Sequence, residues 1–140
     1  MYTIQSCNSK EQDIIIDGLV EYNLSQVPAT QDELFVDLSK KVVDQQGNII
    51  AGIVARMYCW KCVYVDTLWV SEVYRKKGLG TKLLEQVEQE AIDRGATLIH
   101  LDTFDFQAKE FYLRYGYEVF GELKDCPKGH SRFYLKKDLV

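Results

Sequence analysis

Chain breakers are scarce in this sequence: two prolines occur in 140 residues, and there is no low-complexity tract or internal repeat. That leaves little room for an interdomain linker. The length suits one domain able to bury a core, so residues 1–140 are expected to form a single unit. Long apolar runs are absent too. Stretches such as Ile49–Ile53 and Cys62–Val65 are strand-sized and too short to cross a bilayer, so no membrane partner is expected. Met1–Gln5 has neither the basic start nor the apolar run of a secretory leader, which makes the cytoplasm the expected location. Positive charge is not in surplus either. Seventeen Lys and Arg against 21 Asp and Glu leave a net charge of −4, the wrong sign for a general nucleic-acid surface.

Cysteine is sparse, at Cys7, Cys59, Cys62 and Cys126. A disulfide framework belongs to a secreted context that nothing here suggests. Cys59-x-x-Cys62 with Cys126-x-x-x-His130 offers four zinc ligands on paper, and a zinc-stapled interaction domain is one reading. Cys59 and Cys62 sit, however, in an alternating aromatic and aliphatic run that reads as a strand turn. Reduced, inert thiols and no metal are the expectation.

What is present is an ordinary globular balance, 46 % hydrophobic and 27 % charged. Tyr2–Cys7 alternates as a first strand. Ser9 and Gln12 form a capping-box pattern ahead of Ile14, Ile15, Gly18, Leu19 and Tyr22, which share one helical face up to about Leu24. After a polar loop, Leu34–Asp44, Ile49–Tyr58 and Val63–Ser71 read as an antiparallel meander, with turns at Gln45–Asn48 and near Trp60-Lys61. Leu79, Leu83, Leu84, Val87 and Ala91 form the apolar stripe of a helix that stops at Gly95. Thr97–Thr103 returns as a strand. Asp105 is placed to cap a short helix carrying Ala108, Phe111, Tyr112 and Tyr115, which Gly116 ends. Tyr117–Leu123 and Arg132–Lys137 close the chain as two strands. The order β-α-β-β-β-α-β-α-β-β is that of a mixed α/β layer.

Chemistry concentrates in Leu68–Gly80, where a strand, a basic turn and a glycine-flanked helix start follow one another. The first amides of a helix lack intrahelical acceptors, and the macrodipole places about half a positive charge there. Gly78 and Gly80 let a phosphate approach the backbone closely, while Arg75, Lys76 and Lys77 add charge. A nucleotide P-loop is excluded because no Gly-x-x-x-x-Gly-Lys-Ser/Thr occurs. A dinucleotide fold is disfavoured because no Gly-x-Gly-x-x-Gly follows an early strand. Arg-x-x-Gly-x-Gly by itself also fits a plain helix start.

Leu68-Trp69-Val70 with Arg75-x-x-Gly78-x-Gly80, followed by Asp105-x-x-Ala108-x-x-Phe111-Tyr112-x-x-Tyr115-Gly116-Tyr117, resembles the GNAT superfamily of N-acetyltransferases. The resemblance implies a GNAT-like fold with a splayed central sheet and acetyl-CoA as cosubstrate. By the same resemblance, amides from Lys76 through Thr81, Gly78, Leu79 and Gly80 among them, would hold the pyrophosphate. Leu68, Trp69 and Val70 would pair with the pantetheine arm, with an amide near Val70 polarising the thioester carbonyl. Ala108 and Tyr112 fall in the second motif, and Tyr112 would stand beside the cofactor sulfur. Many members carry Asn where this chain has Asp105, so Asp105 is either a cofactor contact or simply a helix cap.

A base must deprotonate the acceptor amine. Asp66 leads, because strand alternation puts it on one face with Tyr64 and Leu68. Glu72, Asp102 and His130 are further candidates. Glu21, Tyr22, Gln26, Tyr58, Trp60 and His130 belong to segments that line the acceptor side in such proteins. The implied reaction is direct attack by an amine of a small molecule or peptide in a ternary complex. A non-catalytic acyl-CoA-binding regulatory module is the alternative, and a homodimer is one assembly the resemblance allows.

Overall fold

The computed structural model describes residues 1–140. Its framework is one mixed sheet of seven strands: β1 (Phe35–Asp37), β2 (Lys40–Val43), β3 (Ile49–Tyr58), β4 (Cys62–Val70), β5 (Leu98–Phe104), β6 (Glu118–Lys124) and β7 (Ser131–Asp138). Across the sheet the order is β1-β3-β4-β5-β7-β6, with β2 beside β1 along the same edge of β3. Every neighbouring pair is antiparallel except β4 and β5. The helices are α1 (Ser9–Gln26), α2 (Leu79–Asp93) and α3 (Lys109–Arg114). A short 3-10 turn, Glu72–Tyr74, precedes α2. No helix is long and apolar enough to cross a membrane.

One sheet face is built from Ala51, Ile53, Ala55 and Met57 of β3, Val63 and Val65 of β4, Ile99 and Leu101 of β5, and Leu135 of β7. These alternate residues meet Leu83, Leu84, Val87 and Ala91, the stripe read from the sequence, so α2 packs as its periodicity dictates. Tyr112 of α3 and Tyr117 extend the same core. Beneath it the Tyr117 hydroxyl donates to Glu88 (2.7 Å), whose other oxygen accepts from Lys137 Nζ (2.7 Å). The half-buried Glu88 carboxylate is thereby matched with a donor on each oxygen.

Four expectations are corrected. Tyr2–Cys7 is not a strand: it is extended chain, fully exposed and paired with nothing, and alternation alone cannot supply a neighbouring strand. Asn8 rather than Ser9 caps α1, exchanging bonds with Glu11 at 2.9 Å in both directions. The face of α1 expected to reach the core does not, for none of its residues is buried. The strand expected over Leu34–Asp44 is broken in two where the Asp37 carboxylate accepts from the Ser39 amide (2.8 Å), a local turn that competes with the ladder.

Leu84 is 1 % exposed at the centre of the α2 interface. Leu84→Ala is expected to lower the unfolding free energy by about 2–5 kcal/mol, the range for a buried leucine that leaves a cavity. Ile92→Ala, on the 44 % exposed side of the same helix, should cost well under 1 kcal/mol in the same urea titration.

Candidate active site

The site begins with a defect in the sheet. β4 and β5 pair in parallel only over Cys62–Val65 and Leu98–Leu101. Beyond that point β4 stays with β3 while β5 stays with β7, and the two part. The pairing of β3 with β4 shifts at the same place, Ala55 facing Val65 and Val54 facing Thr67, so Asp66 is a bulge residue. The bulge breaks the alternation used to place Asp66. Val65 and Leu68 point to the core face, and Tyr64 and Leu68 lie on opposite faces, not on one.

The parted strands open a cleft of about 440 Å³. Leu68, Trp69 and Val70 wall one side, Ala108 and Tyr112 the other, and Arg75, Lys76, Leu79 and Gly80 lie at its end. Lys77, Gly78 and Thr81 belong to the same turn without lining the cleft. Asp105 lies elsewhere, against a neighbouring hollow on the far side of α3. Its reading as a helix cap is also overturned, since Ala108 occupies that position without a side-chain bond. The Asp105 carboxylate instead accepts from the Ser131 amide (2.8 Å) and pairs with His130 Nδ1 (2.9 Å), and these two contacts hold it below the usual carboxylate range. Tyr74, Phe106, Gln107 and Phe111 line the cleft and were not singled out by sequence. The sequence assigns Phe111 to the apolar stripe and to the second motif, without a place in the cleft. Nothing in the sequence marks Gln107, whose Oε1 accepts from the Phe104 amide (2.7 Å) at the strand exit.

At the helix end of the cleft the amides of Lys76, Lys77, Gly78, Leu79, Gly80 and Thr81 donate to no carbonyl, and the first helical bond runs from Lys82 to Gly78 (3.0 Å). Lys76 and Gly78 hold positive φ, +63° and +80°, which curls the turn. Such a run of free donors, with the helix dipole behind it, suits a phosphate group. Arg75 folds back instead, Nε donating to the Val70 carbonyl at 2.9 Å.

Tyr112, on the wall of the cleft, is 5 % exposed. No buried side-chain polar atom lacks a partner, and its hydroxyl bonds to no protein group, so that hydroxyl opens to the cleft it lines. Burial, with the nearby Asp102 charge, pushes its pKa up to about 12. Asp102 is itself tied, Oδ1 accepting from Arg132 at 2.6 and 3.0 Å and Oδ2 from the Tyr64 hydroxyl at 3.0 Å. Asp66 is exposed at the bulge, and its one side-chain bond comes from Thr67 (2.9 Å). Glu72 lies in the 3-10 turn.

The remaining candidates are not brought to the cleft within one chain. Tyr58 bonds His100 (2.8 Å) and Trp60 donates to the Val27 carbonyl (2.9 Å), both at the far end of β4. At about 3.3 Å per residue, Trp60 is roughly 25 Å from Leu68. Glu21, Tyr22 and Gln26 stand on α1. No cluster of three or more His, Cys, Asp or Glu side chains could hold a metal, and all four cysteines are free.

Comparison with known proteins gives a consistent result. The profile of the acetyltransferase (GNAT) family matches residues 12–117. An acetyltransferase of Agrobacterium fabrum is 30 % identical over 131 residues, 93 % of this chain and 92 % of its own. Blasticidin-S acetyltransferase of Streptomyces morookaense is 34 % identical over 96 residues, 68 % of this chain and 70 % of its own. The crystal structure of an acetyltransferase from Bacillus cereus superposes with a TM-score of 0.87 at 34 % identity, over 98 % of this chain and 97 % of its own.

Strain at the turn can be separated from crowding. Nothing lies within 4 Å of a methyl added at Gly78, yet its φ of +80° opposes an L side chain. Gly78→Ala is therefore expected to lower the unfolding free energy by about 1–2 kcal/mol. Gly18→Ala, equally open but helical, should be neutral or stabilising by up to about 1 kcal/mol. Equal effects in denaturant titrations would show that the turn carries no strain.

Proposed function

This chain belongs to the GNAT family of acetyltransferases, and from that membership we propose that residues 1–140 form one domain that acetylates an amine of a small molecule or peptide from acetyl-CoA. Membership makes the chain an acyltransferase; the donor, the acceptor and the residue roles are our reading. The observation that carries it is the run of unpartnered amides from Lys76 to Thr81, set at one end of a cleft that Tyr112 also lines.

Acetyl-CoA supplies an activated acetyl group. The chain's own part is to place it and to manage one proton. Amides from Lys76 through Thr81 receive the pyrophosphate, with Lys76 and Lys77 adding charge. Where β4 has lost its parallel partner, Leu68–Val70 offers free backbone to the amides of the pantetheine arm. An amide near Val70 then meets the thioester carbonyl and stabilises negative charge as it develops. The amine arrives as an ammonium ion and must lose a proton before its lone pair can attack. Asp66 takes that proton: its carboxylate is exposed where the strands part, whereas both oxygens of Asp102 are engaged by Arg132 and Tyr64. The new C–N bond forms as the C–S bond breaks; the attacking nitrogen sheds its second proton to water, and the departing thiolate takes a proton from water to become the free thiol.

Tyr112 stabilises that thiolate by donating a hydrogen bond rather than its proton. A tyrosine of pKa about 12 facing a thiol of ordinary pKa about 8.5 makes full transfer uphill by roughly 5 kcal/mol. The exposed Asp66 carboxylate favours a cationic acceptor, in keeping with an amine.

Free thiol should appear when protein, acetyl-CoA and a suitable member of an amine panel are mixed. Binding of acetyl-CoA with no turnover on any amine, peptide or antibiotic would refute the enzymatic reading. Tyr112→Phe is expected to lower kcat about 10- to 100-fold while the Kd for coenzyme A stays within about twofold, since only the transition state loses a donor. Because its pKa lies near 12, Tyr112 stays protonated through the working range, so the wild-type rate should rise with pH and show no falling limb below about pH 11 from this residue. Asp66→Asn should cut kcat/KM about 100-fold near neutral pH and lose less at high pH, where the amine is already neutral.

A further inference from the structure

The N-terminal 26 residues and the body of the molecule are each incomplete in a way the other would mend. Helix α1 buries no residue, and Ile14, Ile15, Ile16, Leu19 and Tyr22 are all more than half exposed. An 18-residue helix with so much apolar surface and no packing partner is marginal in water. Ahead of it Tyr2–Cys7 has the alternation of a strand and no strand beside it, with Tyr2 and Ile4 fully exposed. The body lacks the matching layer. Both α2 and α3 pack on one face of the sheet, and no helix covers the opposite face, where Tyr58, Tyr64, His100 and Tyr134 lie in adjoining rows. The outer edge of β1 and β2 is unpaired as well.

We propose that residues 1–26 are an exchange arm, and that two copies of this chain pair in solution, each laying α1 across the open sheet face of the other. Three observations favour a second copy over closure onto the same body. No hydrogen bond joins the arm to its body; those that anchor its base, Trp60 Nε1 to the Val27 carbonyl and the Thr30 amide to the Cys59 carbonyl, both at 2.9 Å, lie just beyond it. At 100° per residue the apolar positions from Ile14 to Val20 sweep roughly 240° of the helix, more than twice the stripe a single sheet face covers. Two arms that cross each other as well as the partner's sheet bury that width. Reciprocal exchange also gives an interface of the right size, since 26 residues match the roughly 20–30 a side of a stable complex.

The open face is also the side from which an amine would reach Asp66. The partner's Glu21 and Tyr22 would then roof the acceptor side, which explains why α1 of the same chain does not approach it. That last clause rests on the function proposed above; the pairing itself does not.

The test reads mass and protection rather than activity, so its failure is separate from failure of the proposed reaction. Light scattering of the full chain should give twice 16.2 kDa. Amide exchange in α1 should be slow in the dimer and speed up on dilution as the species dissociates. Hydroxyl-radical labelling of Tyr58 and Tyr64 should rise at least severalfold on the same dilution. Ile15→Glu with Leu19→Glu should weaken pairing at least 100-fold; should that variant not fold, the wild-type dilution series stands alone. A monomer with α1 protected would show the arm closed on its own body. That result overturns the proposal, as does any monomer at micromolar concentration, a dimer whose arm exchanges freely, or a dimer in which Tyr58 and Tyr64 stay open.

Discussion

The parting of β4 from β5 is the constraint on which the rest of the structure depends. A parallel pair that ran its full length would bury the backbone groups of Leu68–Val70 in a ladder and fill the space beside Tyr112. Instead pairing stops at Val65 and Leu101, and the extra residue Asp66 bends β4 away while it keeps its bonds to β3. The cost is a row of backbone groups with no neighbour on one side, which a folded protein tolerates only where solvent or a ligand can meet them. A cleft of about 440 Å³ is the consequence.

Local arrangement, not overall charge, equips that cleft for an anion. The chain carries a net charge of −4, which would repel a diphosphate at long range. Six free amides, a helix dipole and two lysines act within a few ångströms, where the distant carboxylates are screened. The carboxylates near the opening are sorted in the same way. Asp102 is bound on both oxygens by Arg132 and Tyr64, and Tyr112 is kept protonated by its burial first and by the Asp102 charge second. Asp66, on the bulge, keeps a free face to water and so stays available for a proton.

The layering tells a second story from the same sheet. One face is finished, with α2 and α3 over alternating aliphatic residues, while the other presents aromatic and charged side chains to solvent. Two-layer packing leaves an antiparallel sheet half wet without penalty, but it does not excuse an unpacked helix with five large apolar residues in the open. The body is thus finished on the face that α2 and α3 cover and open on the other.

What the sequence determined was whatever depends on neighbours along the chain. The stripe Leu83, Leu84, Val87 and Ala91, the stop at Gly95 and the glycine-flanked helix start are set by periods and by residues that permit positive φ, and all of these stand in the structure. So does the mixed α/β order, apart from the first strand and one break at Ser39. Only the tertiary structure decided what depends on pairing between distant segments. The bulge at Asp66 is one such feature, because a single extra residue flips every side chain beyond it and leaves no local signature. Another is Asp105, locally a fine cap, whose carboxylate is claimed by the amide of Ser131 26 residues later. The fate of Tyr2–Cys7 and α1 belongs here too: alternation and amphipathicity say which surface wants burial, but the partner that buries it is named only by contacts in space.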